Sequence, residues 1–424
     1  MNLFRKNLLY RRVLAADALS VAGDAIYYIA LMTYASQLPN SSQAIWWISL
    51  SEMLPGMLYA FFGVLADRST NRTNRLLRTY GYRTLCYLAV GILIGYAPSL
   101  PLIAVIALLN FGSDLFGKLA SSLMTPFFVQ IVQDNELEEA NGWKSAVERI
   151  MGVSAQFTGT FLILWFSYRS LAWFNGATFA IGGLLLLSIS KRLVHIENAK
   201  LQKTKKPEEG EAAPSYWSDL KQSIKLLYRN KPVFFLVVQV TLINAALFPL
   251  TALFTMYAAA GDGFIIRSFS FTLALFSSLG SAGVVLGNVL TGKWLRTVPL
   301  TGIIGSNYIA VFGFCLGLWT GQLGLTLLMY MLACACVGAL SPKYGAMFAR
   351  EVEREHLASI SGVSNTLGNI GGPLSQVLVG GAASCLSLAG GTTALSGLVI
   401  GGFGLLVVGV RKNHKAQLVR ESDQ

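Results

Sequence analysis

Apolar stretches separated by shorter polar stretches run along the whole chain of 424 residues. Each apolar stretch holds about 20 residues or more, enough for an α-helix to cross a hydrocarbon core of about 30 Å. No stretch has the alternation of a membrane β-barrel strand, so the backbone is expected to satisfy its hydrogen bonds within helices. The predicted fold class is an all-α membrane protein with twelve transmembrane segments, at 13–37, 44–66, 78–97, 101–129, 140–166, 170–190, 232–259, 269–292, 299–320, 323–347, 357–387 and 391–410.

The long polar stretch at residues 191–231 divides the chain near its middle, and its Pro-, Glu-, Gly- and Ala-rich centre is typical of a linker. Six segments lie on each side of it. The predicted domains are a six-helix bundle at 1–190, this linker, a second six-helix bundle at 232–410 and a tail at 411–424. Within the linker, apolar residues at three- and four-residue steps predict an amphipathic helix on the membrane surface, with Ser215 as its cap: Trp217, Leu220, Ile224, Leu227 and Tyr228.

The basic residues are unevenly distributed between the two sides of the predicted membrane. The chain is 54% hydrophobic and 13% charged, with a net charge of +12. With the N-terminus inside, 26 of the 33 Lys and Arg lie in inner segments, and the outer loops hold only Arg169 and Arg267. This asymmetry predicts a multi-pass protein of the cell membrane with both termini in the cytoplasm. The positive charge then reflects topology and attraction to anionic lipid rather than a nucleic-acid surface.

Patterns of enzymes and metal sites are incomplete in this sequence. The stretch "GNVLTGKW" resembles a phosphate-binding loop but ends in Trp294, where a hydroxyl residue would reach magnesium. The three histidines, His195, His356 and His414, are far apart in sequence. We therefore expect neither an enzyme nor a metal or other cofactor.

The loop between segments two and three carries the pattern of a known family. It reads Gly63-x-Leu65-x-Asp67-Arg68, followed by Arg72 and Arg75. This pattern resembles the signature loop of the major facilitator superfamily, and the twelve segments in two sixes extend the resemblance over the whole chain. "LSVAGDAIYYIAL", "MLPGMLYAFFGVLADR" and "QDNELEEANGW" are similar to the macrolide-efflux and enterobactin-exporter subgroup of drug:proton antiporters. The Gly-Asp pair also resembles the lysophospholipid transporter branch.

The resemblance implies a fold of two pseudo-symmetric six-helix bundles and a cytoplasmic gate at this loop. Gly63 would permit close backbone approach, and Asp67 would cap a helix of the other half, in segment eleven. Arg68, Arg72 and Arg75 would supply charge-assisted partners on the same surface. The alternative for Arg72 and Arg75 is that they only mark the inner side.

Ionisable residues inside the segments are candidates for proton coupling, because each is costly in hydrocarbon. Asp24 lies in segment one beside Tyr27 and Tyr28, and Asp114 lies in segment four. In the family fold these two segments line the central cavity, so Tyr27, Tyr28 and Lys118 are candidate residues of the substrate cavity. Asp114 and Lys118 are four residues apart, so a structural ion pair is the open alternative.

Other polar residues are weaker candidates. Glu52 and Glu148 are further possible carboxylates for coupling, with structural roles as the alternative. Gln239 and Asn244 in segment seven are candidate contacts for polar groups of a substrate, with hydrogen bonding between helices as the alternative.

Segment eleven contains "GGPLSQVLVGG", whereas segment five lacks the Gly- and Pro-containing element that exporters of this family often carry. We expect Gly371, Gly372 and Pro373 to provide close helix packing and a kink in the second half instead. This departure weakens the specific prediction of proton–drug antiport and leaves the predicted fold unchanged.

The resemblance thus implies a gradient-driven transporter. The leading expectation is proton-coupled export of an amphipathic small molecule such as a drug, siderophore or peptide. The alternatives are flipping of a lysophospholipid or another lipid-like substrate, and proton-coupled uptake. The expected partners are this substrate, protons and membrane lipid, with no nucleic acid, and the expected oligomeric state is a monomer.

Overall fold

A computed structural model describes the chain except residues 1–6, 59–60, 63–64, 67–68, 70, 133–136, 205–224, 226, 262, 294–296, 352–356 and 423–424. The described backbone is helical almost throughout and contains no strand. The helices are α1 Leu8–Ser36, α2 Ser41–Met57, α3 Arg72–Leu93, α4 Leu100–Ile131, α5 Leu137–Trp165, α6 Tyr168–Leu187, α7 Ser190–Thr204, α8 Lys231–Ala260, α9 Phe269–Lys293, α10 Leu300–Trp319, α11 Leu323–Glu351, α12 Leu357–Ser375, α13 Gly381–Cys385 and α14 Leu388–Ser422.

Each of the twelve predicted segments overlaps helical backbone. Segment eleven consists of three parts, because a π-helical turn at Gln376–Gly380 separates α12 from α13. The helix α7 occupies the start of the predicted linker, and α14 continues through most of the predicted tail to Ser422. The predicted amphipathic helix lies mainly outside the described residues.

Eight of the described helices are long and apolar enough to cross a membrane. They are Leu8–Ser36, Leu100–Thr125, Tyr168–Leu187, Lys231–Ala260, Phe269–Thr291, Leu300–Trp319, Leu323–Tyr344 and Leu388–Arg411. The helix α2 is described over only 17 residues, and the inner part of α3 carries three arginines in its first two turns. The predicted all-α membrane fold class is confirmed.

Side-chain caps and glycines set several helix ends. The Asn7 side chain accepts a hydrogen bond from the backbone N–H of Tyr10 at 3.0 Å, and its amide donates to the Ile131 carbonyl at 2.8 Å. One side chain therefore caps α1 and attaches it to the end of α4. Gly261 ends α8 with a φ of 80°, a left-handed conformation that glycine adopts without steric cost.

The chain divides into two compact units. The first comprises Met1–Glu211 with Ile266–Leu275, and the second comprises Ala212–Ile265 with Phe276–Gln424. In the first unit, α1 packs against α5 and α6, and α3 packs against α4 and α6. In the second unit, α8 packs against α12, and α10 packs against α11 and α14. An aromatic stack stabilises the second unit, with the Phe276 ring 4.1 Å from that of Phe254 and 3.7 Å from that of Tyr330.

Candidate functional site

A buried ion pair joins α1 to α3 in the first unit. Arg83 Nη2 donates to Asp24 Oδ2 at 2.7 Å, and the Arg83 side chain is only 6% exposed. The same guanidinium donates from Nη1 to Ser20 Oγ at 2.7 Å and from Nε to Ser113 Oγ at 3.3 Å. It also lies 3.8 Å from the ring centroid of Phe179. The planar fork of an arginine can satisfy all these partners at once, whereas a lysine ammonium cannot.

Gly23, which precedes Asp24, allows the second carboxylate oxygen, Asp24 Oδ1, to accept a hydrogen bond from α6. Asn175 Nδ2 on α6 lies 3.3 Å from Asp24 Oδ1 and donates to it. A Cβ added at Gly23 would lie 2.2 Å from Thr178 Oγ1 and 2.3 Å from Asn175 Oδ1. The missing side chain therefore lets α6 approach α1 closely enough for this contact. The Gly-Asp pair positions the carboxylate between α3 and α6.

A second polar cluster joins α2 to α4 through one asparagine. Asn110 Nδ2 lies 2.9 Å from Glu52 Oε1, 3.2 Å from Ser51 Oγ and 3.4 Å from Asp114 Oδ2. The Tyr87 hydroxyl donates to Asn110 Oδ1 at 2.7 Å, which fixes the orientation of the amide. An amide group has two protons for these three acceptors. The carboxylates Glu52 and Asp114 therefore share one neutral donor.

The two clusters are adjacent within the first unit. Ser113, which binds Arg83, precedes Asp114 in α4, and the Tyr27 ring packs edge-on against Tyr87 with centroids 4.8 Å apart. Tyr27 is 1% exposed, whereas Tyr28 is only half-buried. The described ion pairs do not include one between Asp114 and Lys118, so that structural alternative for Asp114 is not formed.

Glu148 belongs to a third group. Lys144 Nζ on α5 donates to Glu148 Oε1 and lies 3.4 Å from Asp17 Oδ2 on α1. Each of these three side chains is about one third exposed. Asp17 is thus ion-paired and not simply solvated, and two carboxylates share a single lysine.

Three residues of the predicted gate motif, Gly63, Asp67 and Arg68, lie outside the described residues. Arg75 is exposed, and Arg72 Nε donates to the Ala66 carbonyl at 3.0 Å. The roles of these arginines in a gate therefore stay predictions.

The N-terminus of α3, which follows this loop, is capped from a distant part of the chain. Glu197 on α7 accepts from the backbone N–H of Arg72 at 2.6 Å and from that of Thr73 at 3.3 Å. It also accepts from the Thr73 hydroxyl at 3.0 Å, while Asn71, at the cap position itself, makes no side-chain cap hydrogen bond. A carboxylate at a helix N-terminus is favourable both as an acceptor and as a negative charge. Glu197 thus attaches α7 to the loop region.

In the second unit, both predicted polar residues of segment seven hydrogen-bond to neighbouring helices. Gln239 is fully buried and accepts from the Tyr308 hydroxyl at 3.0 Å. Asn244 Nδ2 donates to the Gly368 carbonyl at 2.9 Å. These contacts correspond to the structural alternative, and a role in substrate binding stays a prediction.

The predicted packing motif lies where α12 approaches α8. A Cβ at Gly371 would lie 2.4 Å from the Thr241 carbonyl oxygen, and one at Gly372 would lie 2.5 Å from the Phe248 ring. Pro373 lies inside α12 and lacks the N–H of a normal helical turn, and the π-turn begins three residues later. The glycines therefore allow two helices of the second unit to touch closely.

Sequence reasoning missed four residues that organise these clusters: Arg83, Asn110, Asn175 and Glu197. Arg83 carried a usable signal, because an arginine inside a transmembrane segment, here the one predicted at 78–97, requires a partner. The two asparagines are uncharged, and Glu197 lies in a strongly polar stretch, so no comparable signal marked them.

Residues 5–376 match the family model of the Major Facilitator Superfamily. The chain belongs to this superfamily. Over 386 residues, it is 21% identical to macrolide efflux protein A of Streptococcus pyogenes, with 88% of each chain covered. This membership confirms the resemblance noted at the loop after segment two.

Solved structures of other transporters share this fold. The nucleoside transporter NupG is similar with a TM-score of 0.66 at 14% identity, over 95% of this chain and 98% of that one. A bacterial homologue of the iron transporter ferroportin is similar with a TM-score of 0.65 at 13% identity, over 94% and 98% of the two chains. The family and the fold of this protein are therefore those of multi-pass membrane transporters.

Proposed function

We propose that the protein is a secondary active transporter that exports an amphipathic small molecule in exchange for protons. It would do so by exposing its substrate site alternately to the two sides of the membrane. The ion pair between Asp24 and Arg83 carries this proposal. Ionisable side chains inside a membrane are costly and commonly serve in proton relays, and protonation of Asp24 would remove the counter-ion of a buried guanidinium.

Proton exchange at this pair changes the contacts of both residues. When Asp24 is ionised, it neutralises Arg83 and accepts from Asn175. When Asp24 binds a proton, the attraction between the two charges is lost, and the guanidinium keeps its contacts with Ser20, Ser113 and the Phe179 ring. The difference between these two states is what a proton gradient uses to bias a conformational equilibrium. Glu52 and Asp114, which share the Asn110 amide, form a second candidate pair for the proton.

Similarity to macrolide efflux protein A supports export and an amphipathic substrate. The sequence similarity of "LSVAGDAIYYIAL" to the drug-exporting subgroup agrees with this, since Gly23 and Asp24 within it build the ion-pair site.

An apolar groove in the second unit supports the alternative of a lipid-like substrate. It has a volume of about 230 Å³ and is lined by Tyr308, Ile309, Phe312, Val399, Ile400 and Phe403. An exposed groove between two spanning helices, lined by side chains of this kind, suits an acyl chain. Flipping of a lysophospholipid is therefore the second candidate function.

Transport into proteoliposomes with an imposed pH gradient tests the proposal. The substrates to compare are macrolides, cationic dyes, siderophores and lysophospholipids. We expect the substrate to accumulate against its own concentration gradient while protons flow down theirs in the opposite direction. Accumulation in the same direction as proton flow would show uptake by symport instead. Movement of lysophospholipid alone, independent of pH, would favour flipping and overturn the proposal.

A further inference from the structure

An open cavity lined by residues of the first unit connects two of the charged groups described above. Its volume is about 210 Å³. Its lining includes the polar side chains of Asp17, Ser20, Arg83, Ser121, Thr125 and Lys144. Arg83 and Ser20 belong to the site of Asp24, whereas Asp17 and Lys144 belong to the group that includes Glu148.

The spacing on α1 places these groups along one face of the helix. Asp17, Ser20 and Asp24 follow each other at steps of three and four residues, so their side chains point in similar directions. Seven residues of α-helix rise by roughly 10 Å, which is the separation that a proton would have to cross. Ser20 Oγ, between the two carboxylates, already accepts from Arg83 Nη1.

The cavity is large and polar enough to hold water. A water molecule takes up about 30 Å³ of liquid volume and needs two to four polar partners. Asp17 Oδ2 is buried and accepts no well-aligned hydrogen bond, although Lys144 Nζ lies 3.4 Å away. Ser121 and Thr125 add hydroxyl groups to the lining. Several waters can therefore form a chain between Asp17 and the ion-pair site.

The charges around Asp17 favour acceptance of a proton. Asp17 and Glu148 share one cation, Lys144, so the group carries one net negative charge when both carboxylates are ionised. Among the described residues, the charged and titratable groups of other helices that lie next to Asp17 are Lys144 and Glu148 on α5 and Tyr80 and Arg83 on α3. Of these, Tyr80, Arg83 and Lys144 line the same cavity as Asp17.

We propose that this cavity is a hydrated proton path, and that Asp17 with Lys144 and Glu148 receives the proton that leaves Asp24. The inference rests on the proposed proton coupling and adds the route by which the proton leaves. The Asp24 carboxylic acid gives its proton to cavity water and becomes a carboxylate, which pairs again with Arg83. The water chain gives a proton to the Asp17 carboxylate, and this acid then releases it to the cytoplasm. Lys144 is a positioning residue that holds both acceptor carboxylates together.

Two transport modes separate this role from a structural one. Net export coupled to proton entry requires release of the proton to the inside. Exchange of internal for external substrate, without a pH gradient, requires no net proton release.

For Asp17→Asn we expect coupled export to slow on the order of tenfold. This effect is smaller than the usual loss on removing a positioned acid or base, because water in the cavity can still carry the proton. Exchange should keep its rate, and the coupled rate should recover when the internal pH is raised. Asp17→Glu should restore export at the original pH.

A second variant tests the cavity without altering a charge. Ser121→Leu adds bulk to the lining on α4 and should slow coupled export while sparing exchange. Gly112→Ala on the same helix is the control, because a Cβ there meets no atom within 4 Å and the residue is outside the lining. Equal slowing of both modes in Asp17→Asn and Ser121→Leu, or no slowing in either variant, would overturn the proton path. If Asp24→Asn still loses coupling in that case, the proposed function stands and only this route is wrong.

Discussion

Arg83 Nη2 lies 2.7 Å from Asp24 Oδ2, at the contact of α1 with α3. The guanidinium is almost fully buried, whereas the carboxylate is 36% exposed. The ion pair is therefore asymmetric: Arg83 depends on Asp24 for neutralisation, and Asp24 remains reachable from outside the bundle core. That asymmetry suits a carboxylate that exchanges protons and a cation that stays in place.

Because of this asymmetry, we expect substitutions of Asp24 and Arg83 to have non-additive effects on the free energy of unfolding. Asp24→Asn should destabilise the protein, because it leaves a buried cation without its counter-ion, a change that costs about 3–5 kcal/mol for fully buried pairs and less here. Adding Arg83→Met to Asp24→Asn should recover part of the loss. Thermal unfolding of the single and double variants in detergent measures this as a double-mutant cycle. Independent, additive effects of the two substitutions would contradict the prediction.

Glu197 is expected to stabilise the start of α3. Glu197→Ala removes an acceptor of three hydrogen bonds and should cost about 0.5–2 kcal/mol, the usual effect of losing a helix cap. Glu197→Gln should be intermediate, since it keeps an oxygen acceptor but loses the charge. Amide hydrogen exchange at residues 72–76 should accelerate in the same order. Asn198→Ala, at the exposed neighbouring position, is the control and should leave exchange unchanged.

Two glycines of α12 that lie about one helical turn apart, Gly368 and Gly371, are expected to respond differently to substitution by alanine. Gly371→Ala should destabilise the second unit by about 1–3 kcal/mol, because the new methyl group meets the Thr241 carbonyl oxygen at 2.4 Å and the helices must separate. Gly368→Ala is the matched control, since its Cβ would meet only Val240 at 3.6 Å and the Asn244 amide at 3.9 Å. Unfolding temperatures in detergent compare the two. Equal destabilisation would show that close packing at Gly371 is not what matters.

The charge distribution predicts the orientation of the chain. A reporter fused after residue 205 should be cytoplasmic, and cysteines introduced near residues 40 and 262 should react with an impermeant thiol reagent added outside. The five native cysteines should first be replaced, because Cys385 is exposed. The opposite labelling pattern would refute both the orientation and the assignment of the gate loop to the cytoplasmic side.

Hydropathy was sufficient to predict where the apolar helices lie, because bilayer thickness sets their length. It did not predict the polar helix α7, which lies in the stretch expected to be a linker. It did not predict the π-turn at Gln376–Gly380, which depends on a local hydrogen-bond register that hydropathy does not encode. Pro373 marked segment eleven as unusual without revealing the form of the irregularity.

The candidate site was predicted less completely than the helices. Asp24, Glu52 and Asp114 were found because charge is rare inside a membrane. Their partners were not found, since a hydrogen bond between Asn110 and Glu52 joins residues 58 apart in sequence. Arg83 was recognised only as one of the basic residues within or at the ends of helices, apart from Arg72, Arg75 and Arg78, which were assigned to the inner side. Only its contact with Asp24 on α1 shows that Arg83 has a different role.

The π-turn also has a consequence for how this chain tolerates changes in length. Each π-helical hydrogen bond encloses one residue more than an α-helical one, so the turn acts like a single inserted residue. Deleting one residue between Gln376 and Gly380 would allow a continuous α-helix, but everything after it would rotate by about 100° about the helix axis. The face that α13 presents to α14 would then change. The packing of α13 against α14 therefore depends on the one-residue register shift that the π-turn at Gln376–Gly380 introduces.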